Sequence, residues 1–239
     1  MGVEPSEVSH GLKRGHLDAT EQQLSAERHA SQLPGVKTLA QASSAQQQAT
    51  AAVGQGLLMS EYEKAFSKRR QAVAQILLTS YNFQNKKSLS DLKNTVSELM
   101  KMKVVPIINE NDPVSIEELD VEGKFDDNDG LAALSAIEFG ADLLILFTDV
   151  GGIYDKNPRE FNDARMINCS SDLEESKIHF GEKSSLGLGG VQAKVKAVRK
   201  ALAEGIPAVV CRLEDNCLEK VFSGKASGSV FLPKDQKGG

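Results

Sequence analysis

Four polar residues follow an apolar run in the middle of the chain. The run Val104–Ile108 is succeeded by Asn109, Glu110, Asn111 and Asp112. Asn and Asp favour turns through local hydrogen bonds, so an ordinary turn is one interpretation. The other is a binding site, because amide donors and carboxylate acceptors at the end of a buried strand could hold the ammonium and carboxylate of a small zwitterion.

A second polar cluster, Asp126–Asp129, opens a predicted helix over Asp129–Phe139. A single carboxylate would be enough to cap the helix and complement its dipole. The cluster holds three aspartates and an asparagine, and the aspartates repel one another because their like charges are close together. The excess charge therefore indicates a site that organises a metal ion, an ammonium group or a catalytic lysine.

Three glycines at positions 187, 189 and 190 precede a predicted helix over Val191–Glu204. The segment has neither the G-x-x-x-x-G-K-[ST] spacing nor the third glycine of G-x-G-x-x-G. A glycine loop at a helix N-terminus still lets backbone N–H groups approach phosphate oxygens. We predict that Lys194 lies in the first helical turn and faces solvent. This combination favours a phosphate-binding loop over a flexible linker.

Thr148 and Asp149 follow the most apolar predicted strand, Leu143–Phe147, and lead into a loop that contains Gly151 and Gly152. A glycine-bearing loop at the carboxyl end of a strand is a plausible nucleotide platform. An ordinary surface loop explains the same pattern, and the residues alone leave both interpretations open.

Short apolar runs that alternate with helical patterns position these clusters. Such runs, apolar on both faces, are typical of an α/β fold with a mainly parallel sheet covered by helices on both faces. An Ala- and Gln-rich helix is predicted from about Thr38, with a buried face formed by Leu57, Leu58, Tyr62 and Phe66. The other predicted elements are strands at Val73–Leu78, Val104–Ile108, Leu143–Phe147 and Ala208–Val210, and helices at Ser90–Met102, Asp129–Phe139 and Val191–Glu204.

Composition narrows the class of protein. The 239 residues are 40% hydrophobic and carry a formal net charge of −5, which argues against a nucleic-acid partner. Three cysteines without C-x-x-C spacing favour neither disulfides nor zinc. Because no apolar run approaches the ~20 residues of a membrane span, we expect a cytoplasmic protein with no membrane association. The sequence assigns no metal-ligating residues.

Taken together, these segments resemble the glutamate 5-kinases, and equally the kinase half of delta-1-pyrroline-5-carboxylate synthase, within the amino acid kinase family. The resemblance covers about residues 38–233, and residues 234–239 form a tail. Residues 1–37 are interpreted as a loosely ordered, divergent or truncated lead-in, because they lack the family's first strand, its lysine and its Gly-Ser phosphate loop. The matching segments are Ala51–Gln55, Leu58–Met59, Tyr62–Glu63, Ala74–Thr79, Val105–Asp112, Asp127–Asp129, Leu143–Asp149 and Gly187–Lys194.

The resemblance implies a three-layer α/β sandwich that uses ATP and Mg²⁺ to phosphorylate the side-chain carboxylate of L-glutamate, the first step of proline biosynthesis. It implies that Lys194 offsets the developing charge and that Asp129 orients the cationic groups. The implied glutamate-binding residues are Asn109, Asp112 and Asn128. The implied ATP-binding residues are Thr148, Asp149, Leu188, Gly189, Gly190, Val191, Gln192, Ala193 and Lys194.

Two alternatives stand beside this interpretation. The first is a catalytically weak or inactive relative that binds glutamate or nucleotide, or serves as an assembly partner, because the lead-in lacks the phosphate loop. The second, an amino acid kinase acting on carbamate or acetylglutamate, is disfavoured because the segments Asn109–Asp112 and Asp127–Asp129 resemble the glutamate 5-kinases specifically. We also predict a homo-oligomer.

Overall fold

The computed structural model describes residues 43–114, 127–168, 173, 188–225 and 227–233. The predicted lead-in 1–37 and tail 234–239, as well as Asp126 and Gly187, lie outside these ranges. The chain divides into two compact units, Met1–Lys124 and Phe125–Gly239, which are described separately below.

In the first unit, the first element within the described residues is the long helix α1, Ser44–Ser67. Ser43 and Gln46 form a capping box that satisfies two backbone N–H groups at its start. The predicted apolar face is confirmed at Leu58 and Phe66, which are buried. It is wrong at Leu57, which is 39% exposed, because one helical step of about 100° carries Leu57 off the buried face.

Two parallel strands follow in this unit, β1 (Val73–Leu78) and β2 (Val105–Glu110), with Val73 opposite Val105. Between them lie the short helix α2 (Ser80–Gln84) and the helix α3 (Lys86–Lys101). Helix α3 starts before the predicted Ser90 because the Asn85 side chain accepts a hydrogen bond from the Ser88 N–H at 3.0 Å and caps it.

Strand β2 extends two residues beyond the predicted strand end at Ile108. Asn109 and Glu110 belong to the strand and pair with Leu77 and Leu78 of β1. The chain turns only at the 3₁₀ segment Asp112–Val114, which packs against α1. Ladder hydrogen bonds thus continue through residues whose side chains alone would favour a turn.

The second unit contains the helices α4 (Asn128–Phe139), α5 (Leu188–Ala203) and α6 (Cys217–Phe222). Its strands are β3 (Leu144–Thr148), β4 (Ala208–Arg212) and β5 (Gly228–Phe231). Strand β4 pairs parallel to β3 and antiparallel to β5, which the sequence did not predict. The α/β class is confirmed, and each unit contributes one parallel strand pair to the part of the chain that the structure describes.

The core of the second unit lies where α4, α5 and the strands pack together. Its fully buried side chains include Val195 and Val198 of α5, Val210 of β4 and Phe231 of β5. The apolar spacing of α5 directs one face inward and leaves Lys196 and Arg199 exposed. None of the helices in the described ranges combines the length and the apolar character that a membrane span requires.

Candidate active site

Polar side chains meet at the carboxyl end of β2 in the first unit. The Asn109 side-chain amide donates to Gln55 Oε1 on α1 at 2.8 Å. The Gln55 Nε2 atom is buried and has no hydrogen-bond partner among the residues that the structure describes. Gln55 was not among the predicted site residues, although it ends Ala51–Gln55, one of the segments that carry the resemblance. Asn109 is therefore held from two elements, its own strand and α1.

Asp112 lies at the start of the 3₁₀ segment, directly after β2. Loss of hydration through partial burial raises the pKa of its carboxyl, although its side chain remains exposed. No hydrogen bond or ion pair connects it to another residue in the described ranges. The preceding backbone is fixed, since the Asn111 N–H donates to the Leu78 carbonyl at 2.8 Å. Asp112 thus offers an uncompensated carboxylate to a cationic ligand.

At the start of α4 in the second unit, the residues of the acidic cluster have different roles. Asp127 is the helix cap, and its Oδ1 accepts a hydrogen bond from the Gly130 N–H at 2.7 Å. Asn128 is the first helical residue and is exposed. Asp129 follows in the same turn. The sequence left helix capping and the organisation of an ion as alternatives for this cluster. In the structure, Asp127 caps the helix and leaves the second role to its neighbours.

The side chain of Asp129 forms a two-pronged ion pair with Lys194 of α5. The Lys194 Nζ lies 2.9 Å from both carboxylate oxygens, and the two side chains are 17% and 19% exposed. Burial raises the pKa of Asp129, the Lys194 charge and hydrogen bonds lower it, and Asp127 raises it further; the net change is upward. The structure therefore brings together the two residues to which the resemblance gave catalytic roles.

The placement of Lys194 corrects two predictions. Helix α5 begins at Leu188 instead of Val191, so the second and third glycines lie in its first turn and Lys194 lies in the second. The side chain is also mostly buried instead of facing solvent, because α5 packs against α4 and places it beside Asp129. The ammonium has three donors, of which two meet the Asp129 oxygens.

Two arginines converge on Asp149 at the carboxyl end of β3. Arg159 Nη2 lies 2.5 Å from Asp149 Oδ2. Arg212, the last residue of β4, donates from Nε and Nη2 to the Asp149 main-chain oxygen at 3.0 and 2.6 Å. The half-buried Thr148 donates its hydroxyl towards Asp149 Oδ1 at 3.4 Å. Sequence reasoning missed Arg212, which was visible as the first charged residue after the apolar run Ala208–Cys211.

The loop after β3 is anchored to β5. Ser229 Oγ accepts a hydrogen bond from the Ile153 N–H at 3.0 Å, and both residues are buried. A Cβ at Gly152 would lie 2.9 Å from this oxygen and 3.2 Å from the Ser229 nitrogen. Glycine is required there by close approach. This anchoring fixes the position of the loop relative to β5.

No group of three or more His, Cys, Asp or Glu side chains suited to hold a metal ion occurs among the residues that the structure describes. Nucleotide-bound Mg²⁺ does not need such a cage, because it is held by phosphates, waters and one or two carboxylates. Asp149 and Asp127 are exposed or half-buried carboxylates of the second unit that fit this weaker requirement.

Comparison with known proteins identifies the class. The sequence matches the amino acid kinase family over residues 7–212, and the chain belongs to that family. The match includes most of the segment 1–37, for which we predicted no resemblance. The carbamate kinase of Giardia lamblia bound to AMP-PNP has the same fold, with a TM-score of 0.58 and 12% identity over 89% of this chain and 82% of that one.

Within the family, the predicted resemblance to the glutamate 5-kinases is confirmed. The glutamate 5-kinase of Caldanaerobacter subterraneus subsp. tengcongensis is 40% identical over 191 residues, which is 79% of this chain and 50% of the relative. That of Ligilactobacillus salivarius is 37% identical over 192 residues, 79% of this chain and 72% of the relative. The chain spans about half the length of the first of these relatives.

Proposed function

We propose that the chain transfers the γ-phosphoryl group of ATP to the side-chain carboxylate of L-glutamate and releases ADP and L-glutamyl 5-phosphate. A carboxylate oxygen forms the new bond to phosphorus while the bond to the β-phosphate bridging oxygen breaks. The observation that carries this proposal is the mostly buried Lys194–Asp129 pair one turn beyond the glycine-containing start of α5. The similarity to glutamate 5-kinases supports the choice of substrate.

Phosphoryl transfer requires positioning and charge neutralisation more than covalent chemistry. Asp129 holds the Lys194 ammonium at a fixed place through both carboxylate oxygens, which leaves one donor for a phosphoryl oxygen. The glutamate carboxylate is ionised at neutral pH, so no general base is needed. Lys194 would act on the transferred group, and Asp129 would keep it oriented.

The nucleotide would be held by elements of the second unit. The first residues of α5, Leu188–Val191, present backbone N–H groups that the helix itself does not use. Gln192, Ala193 and Lys194 continue this turn, and Thr148 and Asp149 offer hydroxyl, carboxylate and main-chain groups at the end of β3. Mg²⁺ bound to the phosphates would supply further charge neutralisation.

In the first unit, the amino acid would be held by polar groups at the carboxyl end of β2. Asp112 supplies a countercharge for the substrate ammonium, and the Asn109 amide is fixed for hydrogen bonding by its contact with Gln55. Asn128 is exposed in the first turn of α4, where the backbone favours an anionic ligand. Within the first unit, Asp112 and Asn109 suit the ammonium and carboxylate groups of glutamate in chemistry.

Calorimetry with the Asp112→Asn variant tests the substrate assignment. We expect glutamate binding to weaken by about 1–3 kcal/mol, because a charge-assisted hydrogen bond is lost, while ATP affinity stays unchanged. Asp91→Asn is the matched control, since Asp91 is an exposed carboxylate on α3 of the same unit. Unchanged glutamate affinity in Asp112→Asn would contradict the assignment.

Turnover of the 239-residue chain distinguishes the proposal from the catalytically weak alternative. We expect ADP release that depends on both glutamate and Mg²⁺, measured with a coupled assay, and no stimulation by carbamate or acetylglutamate. Binding of ATP and glutamate without ADP release would support the weak or inactive relative instead. Stimulation by carbamate or acetylglutamate would overturn the choice of substrate.

A further inference from the structure

Strands β3 and β4 end side by side, and the side chain of Arg212 adds hydrogen bonds between them beyond the last ladder pair. Thr148 and Arg212 are the last paired residues of the parallel ladder. Beyond them, the Arg212 guanidinium donates two hydrogen bonds to the main-chain oxygen of Asp149. A carbonyl that lies past the ladder is thus bound to the neighbouring strand by a forked, charged donor.

The side chain of the same residue is fixed independently. The Asp149 carboxylate pairs with Arg159 and accepts a hydrogen bond from the Thr148 hydroxyl. Directly after it the chain changes direction, with Gly151 at φ +94°. The main chain and the side chain of Asp149 are therefore each held by a different arginine, just before a turn.

These contacts are exposed to solvent, and their exposure determines whether they stabilise the fold or only orient the chain locally. The Asp149 and Arg159 side chains are 68% and 65% exposed, and Arg212 is exposed as well. Exposed charged pairs contribute little to the free energy of unfolding. Their effect is local: they restrict the peptide group at the end of β3 to one orientation.

We propose that Arg212 is a positioning residue of the nucleotide site. By holding the Asp149 carbonyl, it fixes Thr148 and Asp149 in the orientation in which they bind ATP, and it does so without touching the nucleotide. This inference rests on the proposed function, which places ATP at these two residues.

The test compares nucleotide affinity across three variants of the full chain. Arg212→Met removes both hydrogen bonds, Arg212→Lys keeps one charged donor, and Arg199→Met is the control, since Arg199 is an exposed arginine of α5 in the same unit. Dissociation constants for ATP, ADP and AMP are measured by calorimetry, with the melting temperature recorded for each variant. Where turnover is measurable, KM for ATP and for glutamate are compared with kcat.

We expect Arg212→Met to weaken the binding of all three nucleotides by the same factor, about tenfold. Its melting temperature should stay within about 2 °C of the wild type. Arg212→Lys should recover most of the affinity, Arg199→Met should bind normally, and KM for ATP should rise while KM for glutamate does not.

A loss that grows from AMP to ATP would overturn the proposal, because it would show that Arg212 contacts the phosphates directly. Unchanged affinity in Arg212→Met, with normal binding by the wild type, would overturn this inference alone. A wild-type chain that binds none of the three nucleotides would overturn the proposed function and this inference with it.

Discussion

Lys194→Met is the substitution whose outcome depends most directly on the geometry of the second unit. It would leave the Asp129 carboxylate among packed helices without the ammonium that compensates its burial. Burial already raises the pKa of Asp129, and Lys194 lowers it by charge and hydrogen bonds. Without Lys194 the charged form of Asp129 becomes costlier in the folded chain, so the variant should be less stable as well as inactive.

The burial of the pair sets the size of the effect. Removing one partner of a fully buried ion pair costs about 3–5 kcal/mol, whereas exposed pairs contribute about 0–1 kcal/mol. With side chains 17% and 19% exposed, we expect a loss of about 2–3 kcal/mol. For a chain of this size, that corresponds to a fall in melting temperature of roughly 4–12 °C.

The pH dependence gives this prediction a second, independent readout. The pKa of Asp129 in the folded chain lies above its ordinary value of 3.8. The charged carboxylate therefore lowers the free energy of unfolding, and this effect is fully present at pH values above the folded pKa. It disappears as the pH falls below 3.8, because the carboxyl is then protonated in both the folded and the unfolded states. The stability difference between Lys194→Met and the wild type should therefore shrink on acidification.

Urea denaturation of a double-mutant cycle provides the assay. Asp129→Asn, Lys194→Met and the double variant are compared, with Lys196→Met as an exposed control on the same helix. We expect the double variant to lose at least about 1 kcal/mol less than the sum of the single losses, because it leaves no unpaired charge. Additive losses, or a Lys194→Met variant as stable as the control, would refute the buried-pair argument.

Three other predictions test neighbouring features. Ser229→Ala should cost about 1–3 kcal/mol in chemical denaturation, since it leaves the buried Ile153 N–H without its acceptor; a loss as small as that of an exposed serine would contradict the anchoring. Burial raises the pKa of the Cys211 thiol to about 11. Cys211 should therefore resist thiol reagents at pH 8 in the folded chain and react after unfolding, which mass spectrometry can follow. Gln55→Leu should weaken glutamate binding roughly 3- to 10-fold by releasing Asn109, and unchanged calorimetry would exclude this role.

The strands could be predicted from the sequence to the extent that they are apolar on both faces. Strand β4 is an uninterrupted apolar run that is buried from Ala208 to Cys211. A short run that is apolar on both faces is typical of a buried parallel strand, so this strand could be predicted. Strand β5 escaped prediction because only Val230 and Phe231 are apolar in Gly228–Phe231. It forms because Gly228 allows close approach to β4, where a Cβ would lie 2.6 Å from the Val210 oxygen.

The candidate site could be predicted residue by residue but not contact by contact. Asp129 and Lys194 are recognisable from the acidic cluster and the glycine segment, yet their pairing depends on how α4 and α5 pack. The contact of Arg212 with Asp149 likewise requires the register of β3 and β4. Residue type predicts which groups are available, whereas tertiary packing decides which of them meet.

The acidic cluster at the start of α4 places like charges close together, and the structure shows how each charge is compensated. Adjacent like charges at a helix start would repel if they shared one environment. Asp127 is bound to the Gly130 N–H, and Asp129 to Lys194, so each carboxylate has its own compensation. The residue between them, Asn128, is neutral and exposed and has no partner within the described ranges. It is consequently the one member of this turn whose side chain can turn to a ligand without breaking a contact that the fold uses.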